Sequence, residues 1–146
     1  MIEVNVDRVG TSINTNQPVV ILARKDNSCI FPIGIGLNEA LAIFVCLQNE
    51  EMPRPLTHDL LISILDKYEI ELKKIEITDI KNNIFYAEAV LNKRQELKRM
   101  DCRPSDGIAL SLRQNAPIYV SQKIANNFFL NVEPSELIEP LEVRRA

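Results

Sequence analysis

The sequence predicts an α+β domain: a mixed or antiparallel sheet with about four helices around one core. Three observations carry this. Alternating and β-branched runs recur along the 146 residues. Three longer stretches have helical periodicity, and each opens at a corner rich in proline, glycine or capping residues. Hydrophobic residues at 46% and charged residues at 25% give the balance of a globular protein and exclude a disordered chain.

Taken in order, Ile2, Val4 and Val6 alternate with Glu3, Asn5 and Asp7, the period of a half-buried strand. Gln17 to Ala23 is a second strand, Lys25-Asp26-Asn27 a turn, and Cys29 to Ile35 its partner. Asn38 is placed to cap a helix from Glu39 to Gln48 that is apolar nearly all round and so predicted to be buried. Pro53 and Pro55 break the chain. Thr57 is then placed to cap a second helix, with Leu60, Leu61, Ile64, Leu65 and Tyr68 along one face. Strands are predicted over Leu72–Ile80, Ile84–Leu91 and Gln95–Cys102, followed by a helix capped by Ser105. Pro117–Val120 reads as a short closing strand and Ser121–Phe129 as a short helix. The domain is expected to span residues 1–132. Prolines and mixed charges over 133–146 suggest a loose tail. The predicted core includes Ile43, Val45, Leu47, Leu61, Ile64, Ile108 and Leu112.

The halves are alike. At an offset of 67, Glu39 falls on Asp106, Asn38 on Ser105, and the Lys25-Asp26-Asn27 turn on Asn92-Lys93-Arg94. An internal duplication of a hairpin-helix unit is the expectation, with the His58 helix inserted between the copies.

Charge narrows the partners. A net charge of −3 gives no overall basic surplus, which argues against tight, sequence-specific DNA binding. The cations are local: Lys93, Arg94, Lys98, Arg99 and Arg103 crowd the second hairpin, so nucleic acid is expected to bind weakly and without sequence specificity. Three cysteines without C-x-x-C spacing argue for a reducing compartment and against a disulfide framework or structural zinc. The longest apolar run, Ala40 to Leu47, is too short to span a membrane, and no signal peptide is visible, so a cytoplasmic location is expected. Aromatic residues at 5%, with no tryptophan, weaken a reading built on stacked bases.

The chemistry-bearing residues gather at three corners. Pro32-Ile33-Gly34-Ile35-Gly36-Leu37-Asn38-Glu39 leads into the first helix and Arg54-Pro55-Leu56-Thr57-His58-Asp59 into the second. Asp101-Cys102-Arg103-Pro104-Ser105-Asp106-Gly107 leads into the third. Acids in a first helical turn often do no more than complement the helix dipole, worth about 0.3–1 kcal/mol. If the corners converge, Glu39, Asp59 and Asp106 form a carboxylate set suited to magnesium or manganese, beside the chain's one histidine. The dipole at a helix start disfavours imidazolium, so His58 is expected neutral, as a base or ligand requires. Arg54 and Arg103, each held extended before a proline, could clamp a phosphate or simply pair with the neighbouring acids.

The ordered motifs P-I-x-I-G-x-x-E-A, R-P-L-T-H-D-L-L, D-x-R-P-S-D-x-I-A-L and Ala116-Pro117-Ile118-Tyr119-Val120-Ser121 resemble those of the bifunctional nuclease domain family, over roughly Met1 to Val132. The resemblance implies an α+β domain, nuclease activity on RNA and DNA, and pairing into homodimers; the apolar group Phe128-Phe129-Leu130 points the same way. It carries over Glu39, Arg54, His58, Asp59, Asp101, Arg103 and Asp106 as site residues. Gly107 departs from the family's usual alanine. Three functions stay open: a metal-dependent nuclease, a non-catalytic interaction or regulatory module, and a small-anion or nucleotide binder using helix N-termini.

Overall fold

The computed structural model describes residues 1–141. Two three-stranded units flank a short central strand. β1 (Ile2–Ser12), β2 (Pro18–Arg24) and β3 (Ile30–Gly34) form an antiparallel meander that leads into helix α1 (Leu37–Leu47). Helix α2 (Thr57–Lys67) follows. The second meander is β4 (Glu71–Lys81), β5 (Ile84–Lys93) and β6 (Glu96–Cys102), which leads into α3 (Pro104–Gln114). Strand β7 (Ile118–Val120), helix α4 (Gln122–Phe128) and β8 (Ile138–Pro140) complete the described chain. The eight-stranded sheet runs β3-β2-β1-β7-β4-β5-β6, with β8 pairing off β1. Strand β7 lies antiparallel to β1 and parallel to β4, so the sheet is mixed.

Turn chemistry sets the second meander. Asn82-Asn83 and Arg94-Gln95 all take positive φ, and each pair closes a two-residue hairpin whose twist matches its strands. The core lies between sheet and helices, with Phe31, Ile43, Ile75, Ile77, Ile108 and Ile124 fully enclosed. Helix α3 packs on α1, α2, β4 and β5, which makes it the central helix.

Several expectations need correction. The caps sit one or two residues early: Gly36, Leu56 and Arg103 precede the three helices, where Asn38, Thr57 and Ser105 were expected. At α2 the Asp59 carboxylate reaches back to the Leu56 amide, 2.8 Å, and supplies the cap that Thr57 does not. Pro117–Val120 was expected to close the sheet, yet β7 is its middle strand. Leu61 and Ile64 are not core: they are 42% and 44% exposed, because α2 buries His58 and Ile62 instead. Ile43, Val45 and Ile108 are buried as expected, with Leu47 and Leu112 packed at the margin. Phe128 and Phe129 do not form an outward patch; they pack on Phe31 at ring distances of 6.3 and 5.9 Å. The expected loose tail is docked as far as it is described: β8 pairs Ile138 with Ser12, and Ile138 covers Ile21, Ala23 and Ile30. Residues 142–146 lie outside the described part.

Candidate functional site

The N-termini of α1, α2 and α3 meet at one end of the sheet. Helices α1 and α3 begin 67 residues apart, at Leu37 and Pro104, so Glu39 and Asp106 are each the third residue of their helix. His58 is the second residue of α2 and is only 8% exposed. Its Nε2 stands 3.0 Å from Asp106 Oδ1. Arg103, just outside α3, lies across both acids. Its Nε donates to Asp106 Oδ2 at 2.7 Å and its Nη2 to Asp106 Oδ1 at 3.0 Å, while Nη1 is 2.7 Å from Glu39 Oε1. Glu39, His58, Asp101, Arg103 and Asp106 line the polar end of an open cleft of about 790 Å³.

The electrostatics follow from these partners. Burial pulls the Asp106 carboxyl upward, but hydrogen bonds from Arg103 and His58 outweigh it and hold the group below the usual carboxylate range. Its hydrogen bonds to Asp106, joined by that to Glu39, hold the Arg103 guanidinium still more firmly protonated. An ionised Asp106 can only accept a hydrogen bond, so His58 Nε2–H is the donor, and in the neutral ring the lone pair is then on Nδ1. Cys102, another lining residue, is a thiol pushed up to about 11, mainly by burial, and so is no nucleophile at neutral pH.

Not every expected residue joins the cluster. Asp59, next to His58 in sequence, turns to Arg113, whose Nε donates to Asp59 Oδ1 at 2.7 Å. Burial pulls its carboxyl upward too, but the Leu56 amide and Arg113 bring it below the usual range. Arg54 is exposed on the connection before α2, and neither it nor Asp59 lines the cleft. The sequence reading missed Arg113. Its side chain is 6% exposed and also donates to the Ala42 and Ala109 carbonyls at 3.2 and 2.9 Å, so it ties all three helices together. A cation in the last turn of an otherwise buried helix was the available signal.

A divalent ion needs several oxygens free to converge on it. Here Arg103 occupies the space between Glu39 and Asp106, and Asp59 is spent on Arg113 and its own helix cap. Among the described residues, no group of three or more histidine, cysteine or acidic side chains is placed to hold a metal. The side chains as arranged do not fit magnesium or manganese on Glu39, Asp59 and Asp106.

Fold and cluster together define an α+β domain with an open cleft, a histidine–carboxylate pair and a guanidinium bound to two carboxylates. The chain belongs to the bifunctional nuclease domain family, whose model matches residues 20–133. It is 36% identical over 122 residues to an uncharacterized protein of Mycobacterium tuberculosis, covering 84% of this chain and 73% of that one. It is 27% identical over 124 residues to Bifunctional nuclease 1 of Oryza sativa subsp. japonica, and 24% identical over 112 residues to Bifunctional nuclease 1 of Arabidopsis thaliana. These matches cover 80% and 74% of this chain, but 38% and 34% of the plant proteins.

Proposed function

We propose that this protein cleaves phosphodiester bonds in RNA, DNA or both, at the polar end of the cleft. The observation that carries the reading is the His58–Asp106 pair, 3.0 Å apart on the cleft wall and bound to Arg103. Asp106 fixes the ring tautomer, so Nδ1 of neutral His58 takes the proton from an attacking water. The leaving oxygen departs on the far side of phosphorus from His58 and takes its proton from solvent as its bond breaks. Arg103, 64% exposed at its side chain, can offer donors to the non-bridging phosphate oxygens while staying anchored to Asp106. Glu39 holds the second edge of the guanidinium and so orients it.

This sequence of steps uses no metal. A magnesium or manganese requirement would demand that Arg103 leave the two acids. Labelled RNA and DNA, incubated with and without divalent ion and chelator, test both points. Cleavage that survives chelation, and that falls about 10²–10⁴-fold in Asp106→Asn, is expected. Unchanged cleavage in Asp106→Asn would leave the interaction module as the better account.

Pairing into a homodimer belongs to the same proposal. Leu60, Ile64 and Tyr68, at i, i+4 and i+8 of α2 and outside the cleft, form an exposed apolar stripe, a better seam than the C-terminal phenylalanines. Sedimentation should show a dimer that Ile64→Glu dissociates.

A further inference from the structure

Beyond the histidine the cleft continues as an aliphatic slot. Its floor is Ala89 and Leu91 of β5 with Met100 of β6, and its wall is Leu61 and Leu65 of α2. Met100 pairs with Ala89 and Lys98 with Leu91, so the floor ends at a lysine on the same face of β6 as Met100. Leu91 also lines an adjoining hollow with Lys93, Arg94 and Lys98. One path therefore runs from Arg103, past exposed Met100 and Leu61 and half-buried Leu65 and Leu91, to three further cations at and beside the β5–β6 turn. Among the described residues Lys98 pairs with Glu96 alone, at 2.9 Å with both side chains 69% exposed, and such a pair exchanges readily for another anion.

We propose that this slot takes one unstacked base of a single-stranded nucleic acid. The phosphate on one side of that base meets Arg103, and the phosphates beyond it meet the Lys93–Arg94–Lys98 group. The inference rests on the reading of the cluster as a phosphodiester site and names its substrate class. A base inside a duplex is stacked and paired and cannot reach such a slot, so single strands are selected. The floor and wall named above carry no side-chain donor and no acceptor stronger than the Met100 thioether, so the slot reads no base edge and sequence preference is weak. The whole cleft, polar end and slot together, is about 790 Å³, within the usual range of small-ligand sites, about 300–1,000 Å³. Four local cations on a chain of net charge −3 suit a short stretch of backbone better than a long duplex footprint.

The test uses the full chain carrying His58→Gln, so that bound strands stay uncut. Fluorescence anisotropy compares a labelled homopolymeric single strand with a duplex of equal length and with an acidic peptide bearing leucine. The single strand should bind about ten-fold or more tighter than either. Met100→Glu, at a side chain 56% exposed and so compatible with folding, should weaken single-strand binding by about ten-fold. Lys93→Ala with Lys98→Ala should flatten the logarithmic salt slope by about 1.4, at about 0.7 per phosphate contact on a single strand. Equal binding of strand and duplex, tighter binding of the peptide, or indifference to Met100→Glu would overturn the slot. None of these bears on whether wild type cuts. Conversely, wild-type protein that binds single strands through Met100 but cuts nothing would keep the slot and remove the cleavage reading.

Discussion

Replacing Gly107 with alanine sets two effects of known size against each other. Gly107 is the fourth residue of α3, immediately after Asp106, and its amide bonds to the Arg103 carbonyl at 3.1 Å. Alanine in a helix gains about 1 kcal/mol over glycine. A Cβ at this position, however, would stand 2.8 Å from Ile75 Cγ2 and 3.3 Å from Ile75 Cδ1, with Cys102 Sγ at 3.4 Å. Ile75 is fully buried on β4, and its γ-methyl sits on a branched carbon that cannot swing away. Overpacking of this kind costs about 1–3 kcal/mol. The balance is a loss of about 0–2 kcal/mol, or up to about 6 °C in melting temperature for a domain of this size. Ile75→Ala removes the obstructing atoms at its own cost of about 2–5 kcal/mol. In that background Gly107→Ala should stabilise by about 1 kcal/mol, since only the helix term remains. Thermal melts of the four proteins measure the coupling. If Gly107→Ala raises the melting temperature equally in both backgrounds, the steric argument is wrong.

Other perturbations have clear signs. Arg113→Met should cost about 3 kcal/mol by urea melt, the low end for a broken buried pair, because Asp59 is 40% exposed and can rehydrate. Arg103→Ala should change stability by no more than about 1 kcal/mol, since its pairs are partly exposed, yet should lower cleavage sharply. Asp59, Glu76 and Asp106 all titrate below the usual range; for Glu76, burial raises the carboxyl but Arg99 and Lys74 outweigh it. Their stabilisation is complete above the unfolded carboxyl values, about 3.9–4.3, and is lost as pH falls through the folded values. Melts followed downward from pH about 5 should show that loss, and Asp106→Asn should make it shallower.

How far the sequence reached depends on the interaction in question. The 67-residue offset between Glu39 and Asp106 is a local pattern, so it could be read, and both residues hold the same place in their helices. The plain pairing of Arg103 with Asp106 was legible because they lie three positions apart. Asp59 with Arg113 was not: they lie 54 residues apart, and only the packing of α2 on α3 joins them. Periodicity revealed the apolar face of α2 but could not say what covers it, so Leu61 and Ile64 were placed in the core when they stand in the open. The same limit misplaced β7, whose three residues carry no mark of being central. The aliphatic slot had no signature at all, since Met100 and Leu61 meet only through the sheet and helix that present them.

The central claim is that His58, held by Asp106, moves the proton in phosphodiester cleavage. The most direct measurement is the single-turnover rate on one labelled single-stranded oligonucleotide, for wild type and His58→Gln, with far-ultraviolet circular dichroism confirming that both are folded. The account predicts measurable wild-type cleavage and a loss of about 10²–10⁴-fold in the folded variant. A folded His58→Gln protein that cleaves at the wild-type rate would contradict it.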